Sequence, residues 1–161
     1  MKTKLLAAAL VASGFSINAI AADTASLTVN ATVNGVCKFT APASATLTLS
    51  NVALPATGID PSSATSATGS TTLLYRCTKG QAPGFSAGQG NNWSGSSNQV
   101  KHATLADVMA YSLSLSPSAP TGAGFAAADQ TLTITGSILQ ADFQAAAAGN
   151  YTDTVVISVT P

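Results

Sequence analysis

Between Ala25 and Val33 every second residue is apolar, and every residue between is polar. Ala25, Leu27, Val29, Ala31 and Val33 fall on one side, and Ser26, Thr28, Asn30 and Thr32 on the other. A repeat of two belongs to an extended strand with one greasy face and one wet face; a helix would repeat every three to four residues. This pattern commits the segment to β structure, and weaker versions of it recur to the end of the chain.

Thr46-Leu47-Thr48-Leu49 alternates, with Val52 and Leu54 beyond it. Thr71 to Cys77 reads as a strand with Leu73, Tyr75 and Cys77 on one face. Phe85 marks a short strand. Val108 to Leu115, a strand through Leu132, Ile134 and Ile138, and Tyr151 to Val159 complete the set, with Val156 opposed to its neighbours. The stretches 57–70 and 88–99 are rich in Gly, Ser, Thr and Asn and read as loops. Gln140 to Ala148 predicts one helical turn or a loop before Gly149. Many short strands with polar turns between them predict an all-β sandwich or barrel in one domain.

The N-terminus has a different character. Lys2 and Lys4 precede an apolar, small-residue run to Ile20, and Ala19-Ile20-Ala21 fits a signal-peptidase site. Residues 1–21 therefore predict a secretory signal peptide, with the mature chain starting near Ala22. The chain carries six Lys and Arg against six Asp. Without Lys2 and Lys4 the balance is four against six, a net of −2. No basic stripe exists to hold phosphates, which excludes a nucleic-acid argument. Charged residues make up only 7% of the chain, so its polar surface falls to Thr, Ser, Asn and Gln. For an exported chain the two cysteines, Cys37 and Cys77, predict one disulfide.

Catalytic constellations are missing from the sequence. His102 is the sole histidine, lies in a polar stretch and reads as an exposed loop residue. The aspartates are scattered, glutamate is absent, and both cysteines are assigned to the disulfide, so neither a metal site nor a paired-carboxylate site is expected. No cofactor motif occurs. Trp93, within Asn91-Asn92-Trp93-Ser94-Gly95, reads as cover for a core edge or as a sugar platform. The reading is a non-enzyme.

An amphipathic strand at a free terminus has two fates. It pairs with its own sheet, or it docks onto another molecule. Asn34-Gly35 offers a hinge or turn between this strand and Cys37. A sandwich lacking one strand would present a hydrophobic groove with unpaired edge groups, and a donated strand would fill both needs.

Four segments, in this order and spacing, resemble the spore coat protein U domain family. They are Leu27-Thr28-Val29-Asn30-Ala31-Thr32-Val33 before Cys37, Tyr75-Arg76-Cys77-Thr78-Lys79-Gly80, Met109-Ala110-Tyr111-Ser112-Leu113, and Ala148-Gly149-Asn150-Tyr151-Thr152-Asp153-Thr154-Val155. The closing Gly-x-Tyr-x-Asp-x-Val pattern is the most specific. Leu49-Ser50-Asn51-Val52 stands where the family often has Phe-Gly. The chain looks most like the major subunit of archaic, Csu-type chaperone–usher pili.

That resemblance implies an incomplete immunoglobulin-like β-sandwich lacking its last strand (residues 35–161) with an N-terminal donor-strand extension (residues 22–34). Carried over by position, Ala25, Leu27, Val29, Ala31 and Val33 would be the donor residues. Tyr151, Asp153, Val155, Ile157 and Val159 would border the acceptor groove, and Cys37 and Cys77 would form the disulfide. The implied partners are further copies of the same chain, a periplasmic chaperone and an outer-membrane usher. The implied role is a structural subunit of a surface pilus for adhesion and biofilm formation. A tip adhesin, a monomeric secreted binding module and a spore or cyst coat component are the alternatives.

Overall fold

A computed structural model describes residues 23–52 and 57–161. The signal-peptide reading of residues 1–21 lies outside the described residues, as does Leu54. Val33–Pro161 forms one compact unit. Residues 23–32 belong to a separate unit and carry no strand there, although their alternation is the clearest in the chain.

Among its described residues the compact unit has eight strands and one helical turn. They run β1 (Cys37–Ala41), β2 (Ala67–Cys77), β3 (Gly84–Ala87), β4 (Asn98–His102), β5 (Val108–Pro117), β6 (Gln130–Ile138), α1 (Gln140–Phe143), β7 (Tyr151–Thr152) and β8 (Ile157–Thr160). The larger sheet has the order β1-β2-β6-β5-β4-β7, and β3 pairs with β8 in a second sheet. Each pairing is antiparallel. The fold is all-β, as the alternation predicts, and has the form of an incomplete sandwich.

The large sheet follows from its pattern. On β2 and β6 the inward positions are Ala67, Leu73, Tyr75, Cys77, Leu132, Ile134 and Ile138, all buried. The outward positions between them are mainly Thr and Ser, which tolerate the pleated backbone and face water. Cys37 stands directly opposite Cys77 in the β1–β2 ladder, and the two are joined by a disulfide. The asparagine-glycine stretch before β1 is anchored: Val36 N donates to Thr78 Oγ1 at 3.0 Å, and Thr78 Oγ1 donates to the Asn34 carbonyl at 3.2 Å.

Several local expectations are corrected. Thr46–Leu49 is not a strand, because among the described residues no neighbour pairs with it; Ser50, just beyond, makes an isolated bridge to Thr68. β2 begins at Ala67, inside the stretch read as loop, because Ala67, Gly69 and Thr71 pair across to Ile138, Gly136 and Ile134. β4 likewise begins at Asn98, within the predicted loop 88–99. The last strand is broken: Tyr151–Thr152 pairs with β4 and Ile157–Thr160 with β3, so the segment passes from one sheet to the other. The helical turn is present and is held by Phe143, which is buried.

Candidate functional site

The apolar interior is divided. Cys37, Leu73, Tyr75, Cys77, Leu132 and Ile134 form one buried cluster, and Ala67, Met109, Ile138 and Phe143 form another. A cleft of about 1300 Å³ draws its lining from both, including Leu73, Ile134, Leu113, Met109, Ile138 and Phe143. Close packing fills a domain interior almost completely, so an apolar space of this size is a place where side chains are wanting.

Two extended segments wall the cleft. One is a strap, residues 42–49, and the other runs from Asn150 to Ile157. In the second, each even-numbered carbonyl faces the neighbouring strands. Asn150 O accepts from Ala103 N at 2.9 Å, Thr154 O from Asn91 N at 3.2 Å and Val156 O from Gly88 N at 2.8 Å. An antiparallel strand sends successive residues' main-chain groups to opposite edges. No main-chain hydrogen bond of Asp153 or Val155 is found among the described residues, so this wall presents unpaired N–H and C=O groups. The strap is similar. No main-chain hydrogen bond of residues 43–49 is found among the described residues. Buried or half-buried backbone groups need partners, so both walls lack something.

The closing Gly-x-Tyr-x-Asp-x-Val pattern explains how this edge is held. Tyr151 packs edge-on against His102 with ring centroids 5.0 Å apart, and its hydroxyl donates to the Ala147 carbonyl at 2.9 Å. Asp153 Oδ2 accepts from Tyr111 Oη at 2.7 Å, while Oδ1 accepts from Asn92 N at 3.1 Å and from Asn92 Nδ2 at 3.2 Å. Burial, followed by the hydrogen bond to Asp153, raises the Tyr111 phenol above its ordinary range. Gly149 lies so close to His102 Nε2 that a Cβ would collide with the ring. Val155 is left as the apolar member of the pattern and, with Ile157 two residues on, is half-buried toward the cleft.

His102 corrects the expectation of an exposed loop residue. It ends β4, is 9% exposed, and accepts at Nδ1 from Thr104 N (3.1 Å) and Leu105 N (3.0 Å). With Nδ1 accepting, the ring is the tautomer protonated at Nε2, which faces the Ala148 carbonyl at 3.3 Å. Its role is to brace the turn after β4 against the start of β7.

Of the residues named as acceptor border, Tyr151, Asp153, Val155 and Ile157 line the cleft, whereas Val159 packs on the cluster containing Cys37. Of the residues named as donor, Leu27, Val29 and Val33 are 87%, 80% and 82% exposed. The strap was not foreseen as a wall of the site; its signal was the second short alternation, Thr46 to Leu49. Trp93, 37% exposed, lies outside the cleft lining.

Among the described residues no cluster of His, Cys, Asp or Glu could hold a metal ion, and no helix is long and apolar enough to cross a membrane. The model of one protein family, the Spore Coat Protein U domain, matches residues 23–158. No curated protein matches the chain.

Proposed function

The chain belongs to the Spore Coat Protein U domain family, a family of structural pilus and coat components, and on that premise we propose that it is a pilus subunit that polymerises by donor-strand exchange. The observation that carries this reading is the cleft with two walls whose main-chain groups lack partners. One added strand would pair with both walls and place its side chains between the two halves of the core.

The chain carries a segment suited to that place. Leu27 to Val33 and Tyr151 to Ile157 are each seven residues long, about 23 Å at roughly 3.3 Å per residue. Burial of Leu27, Val29 and Val33 would each contribute roughly 1.5–3 kcal/mol, with less from Ala25 and Ala31. Main-chain pairing adds to this, so the joint would open slowly. The acceptor is a second copy of the chain. Repeating the exchange produces a fibre at the cell surface, serving adhesion and biofilm formation.

Before assembly the same cleft is an aggregation hazard. A periplasmic chaperone would cover it, and an outer-membrane usher would exchange the chaperone for the next subunit's strand. Residues 1–21 would direct the export on which this route depends.

Deletion of residues 22–33 tests the proposal. The truncated chain should fold, bind its chaperone and fail to form fibres, and heating the intact protein in mild detergent should leave a ladder of multimers. Normal fibres from the truncated chain would refute strand donation.

A further inference from the structure

Gly69 and Gly136 face each other directly in the β2–β6 ladder, on the inward side of the large sheet. Glycine weakens a strand interior relative to alanine, and in such a position it often marks a close approach by another backbone. The strap supplies that approach here. A Cβ at Gly69 would collide with the Thr48 carbonyl oxygen. A Cβ at Gly136 would stand 2.7 Å from Leu47 Cδ2 and 2.9 Å from Leu49 Cδ2. Real Cβ atoms do not make such contacts, so an addition at Gly69 must move the strap backbone, and one at Gly136 must push the two leucine side chains away from the sheet.

We propose that the Gly69–Gly136 pair is a notch that seats the strap against the sheet and so sets the width of the cleft open to an incoming strand. The inference rests on the strand-accepting reading above and names the positioning residues that make the cleft receptive. Little else described fixes the strap between Pro42 and Ser50: its main chain has no described hydrogen bonds, and half-buried Leu49 alone packs on the cluster of Ala67, Met109, Ile138 and Phe143. Seated in the notch, the two leucines lie low on β2 and β6. Lifted by a methyl group, they rise into the space that the guest's side chains must fill. The glycine pair is thus kept for the guest strand, at a cost to the sheet.

The test compares uptake of a synthetic peptide of residues 23–33 by the full exported chain, purified from the periplasm, in four forms. They are wild type, Gly136→Ala, Leu47→Ala/Leu49→Ala, and the triple variant. Circular dichroism and the presence of the disulfide establish that each form is folded. Overpacking of this kind should slow uptake roughly tenfold or more in Gly136→Ala. In the Leu47→Ala/Leu49→Ala background the same glycine change should have no effect, because the atoms it strikes are gone. Equal slowing in both backgrounds, or no slowing in either, overturns the notch. If Gly136→Ala alone does not fold, recovery of folded chain in the triple variant supports the notch and absence of recovery overturns it. Failure of the wild type to take up peptide or to form multimers would instead remove the strand-accepting reading itself.

Discussion

Tyr111 Oη donates to Asp153 Oδ2 at 2.7 Å, joining β5 to the segment between β7 and β8. Asn92 occupies the other carboxylate oxygen. The final segment is thereby fastened along one side only, and its opposite edge borders the cleft. An edge held this way can wait open without collapsing across the cleft.

Tyr111→Phe should lower stability at neutral pH by about 1 kcal/mol, since a charge-assisted bond at a partly exposed site is lost. The pH dependence has a definite sign. Burial and Asp153 raise the phenol's folded-state pKa. Its contribution is therefore fully present below the unfolded value of about 10 and is lost as pH rises beyond it. Urea unfolding of the wild type should show stability falling above about pH 10. The phenylalanine variant should show a shallower fall, and an identical slope in both proteins would contradict the assignment.

Gly149→Ala should destabilise the domain by roughly 1–3 kcal/mol, the usual range for an overpacked site. The new methyl group meets the His102 ring, which accepts the Thr104 and Leu105 amides on its other side and has little freedom to retreat. Thermal unfolding measures the loss. Nuclear magnetic resonance of the single histidine should show its ring signals displaced, and an unmoved ring with unchanged stability would count against the brace.

Removing the disulfide with Cys37→Ala/Cys77→Ala frees a loop set by a sequence separation of 40. Chain entropy assigns such a loop about 4 kcal/mol. The bond joins a registered pair at the end of the β1–β2 ladder, beside the docked Asn34–Val36 stretch. Amide exchange in β1 should therefore accelerate more than in β6. Uniform acceleration would mean that the bond steadies the whole domain and not the base of the extension.

The strands with strict alternation were legible in the sequence because period two is a direct image of one buried face. β2, β5 and β6 carry it in Leu73, Tyr75, Leu113, Leu115, Leu132 and Ile134. Legibility failed where pairing, and not side-chain chemistry, decides the state. Thr46 to Leu49 has the pattern of a strand but lacks a neighbour, so it lies over Gly69 and Gly136 as an unpaired strap. Ala67 to Ser70 has the composition of a loop, yet β6 pairs with it throughout. His102 looked exposed because its neighbours are polar; its burial comes from Tyr151 and Gly149, nearly fifty residues away. Alternation through Tyr151, Asp153, Val155 and Ile157 marks the last segment as extended, but only the family resemblance assigns it to a groove border, and the break between β7 and β8 leaves no local signal.

That alternation supplies the sharpest contrast for strand acceptance. Ile157 is half-buried against the cluster containing Leu73 and Ile134, while its neighbour Val156, which also borders the cleft, is 68% exposed, with its carbonyl bound to Gly88 N. Lysine at each position tests one side of the segment with a single residue step. Ile157→Lys would place an ammonium group among Leu73, Leu113 and Ile134, where an unpaired charge is strongly disfavoured. Its long stem can carry the charge outward while the cleft is open, so the folded monomer should persist. A guest strand would close that route, and multimer formation should fall by at least about tenfold, the equivalent of roughly 1.4 kcal/mol. Val156→Lys directs its charge to solvent and should leave both folding and multimers unchanged. Multimer ladders from the two purified variants, run beside the wild type, decide the matter: equal ladders from all three would mean that the guest strand does not enter along this edge.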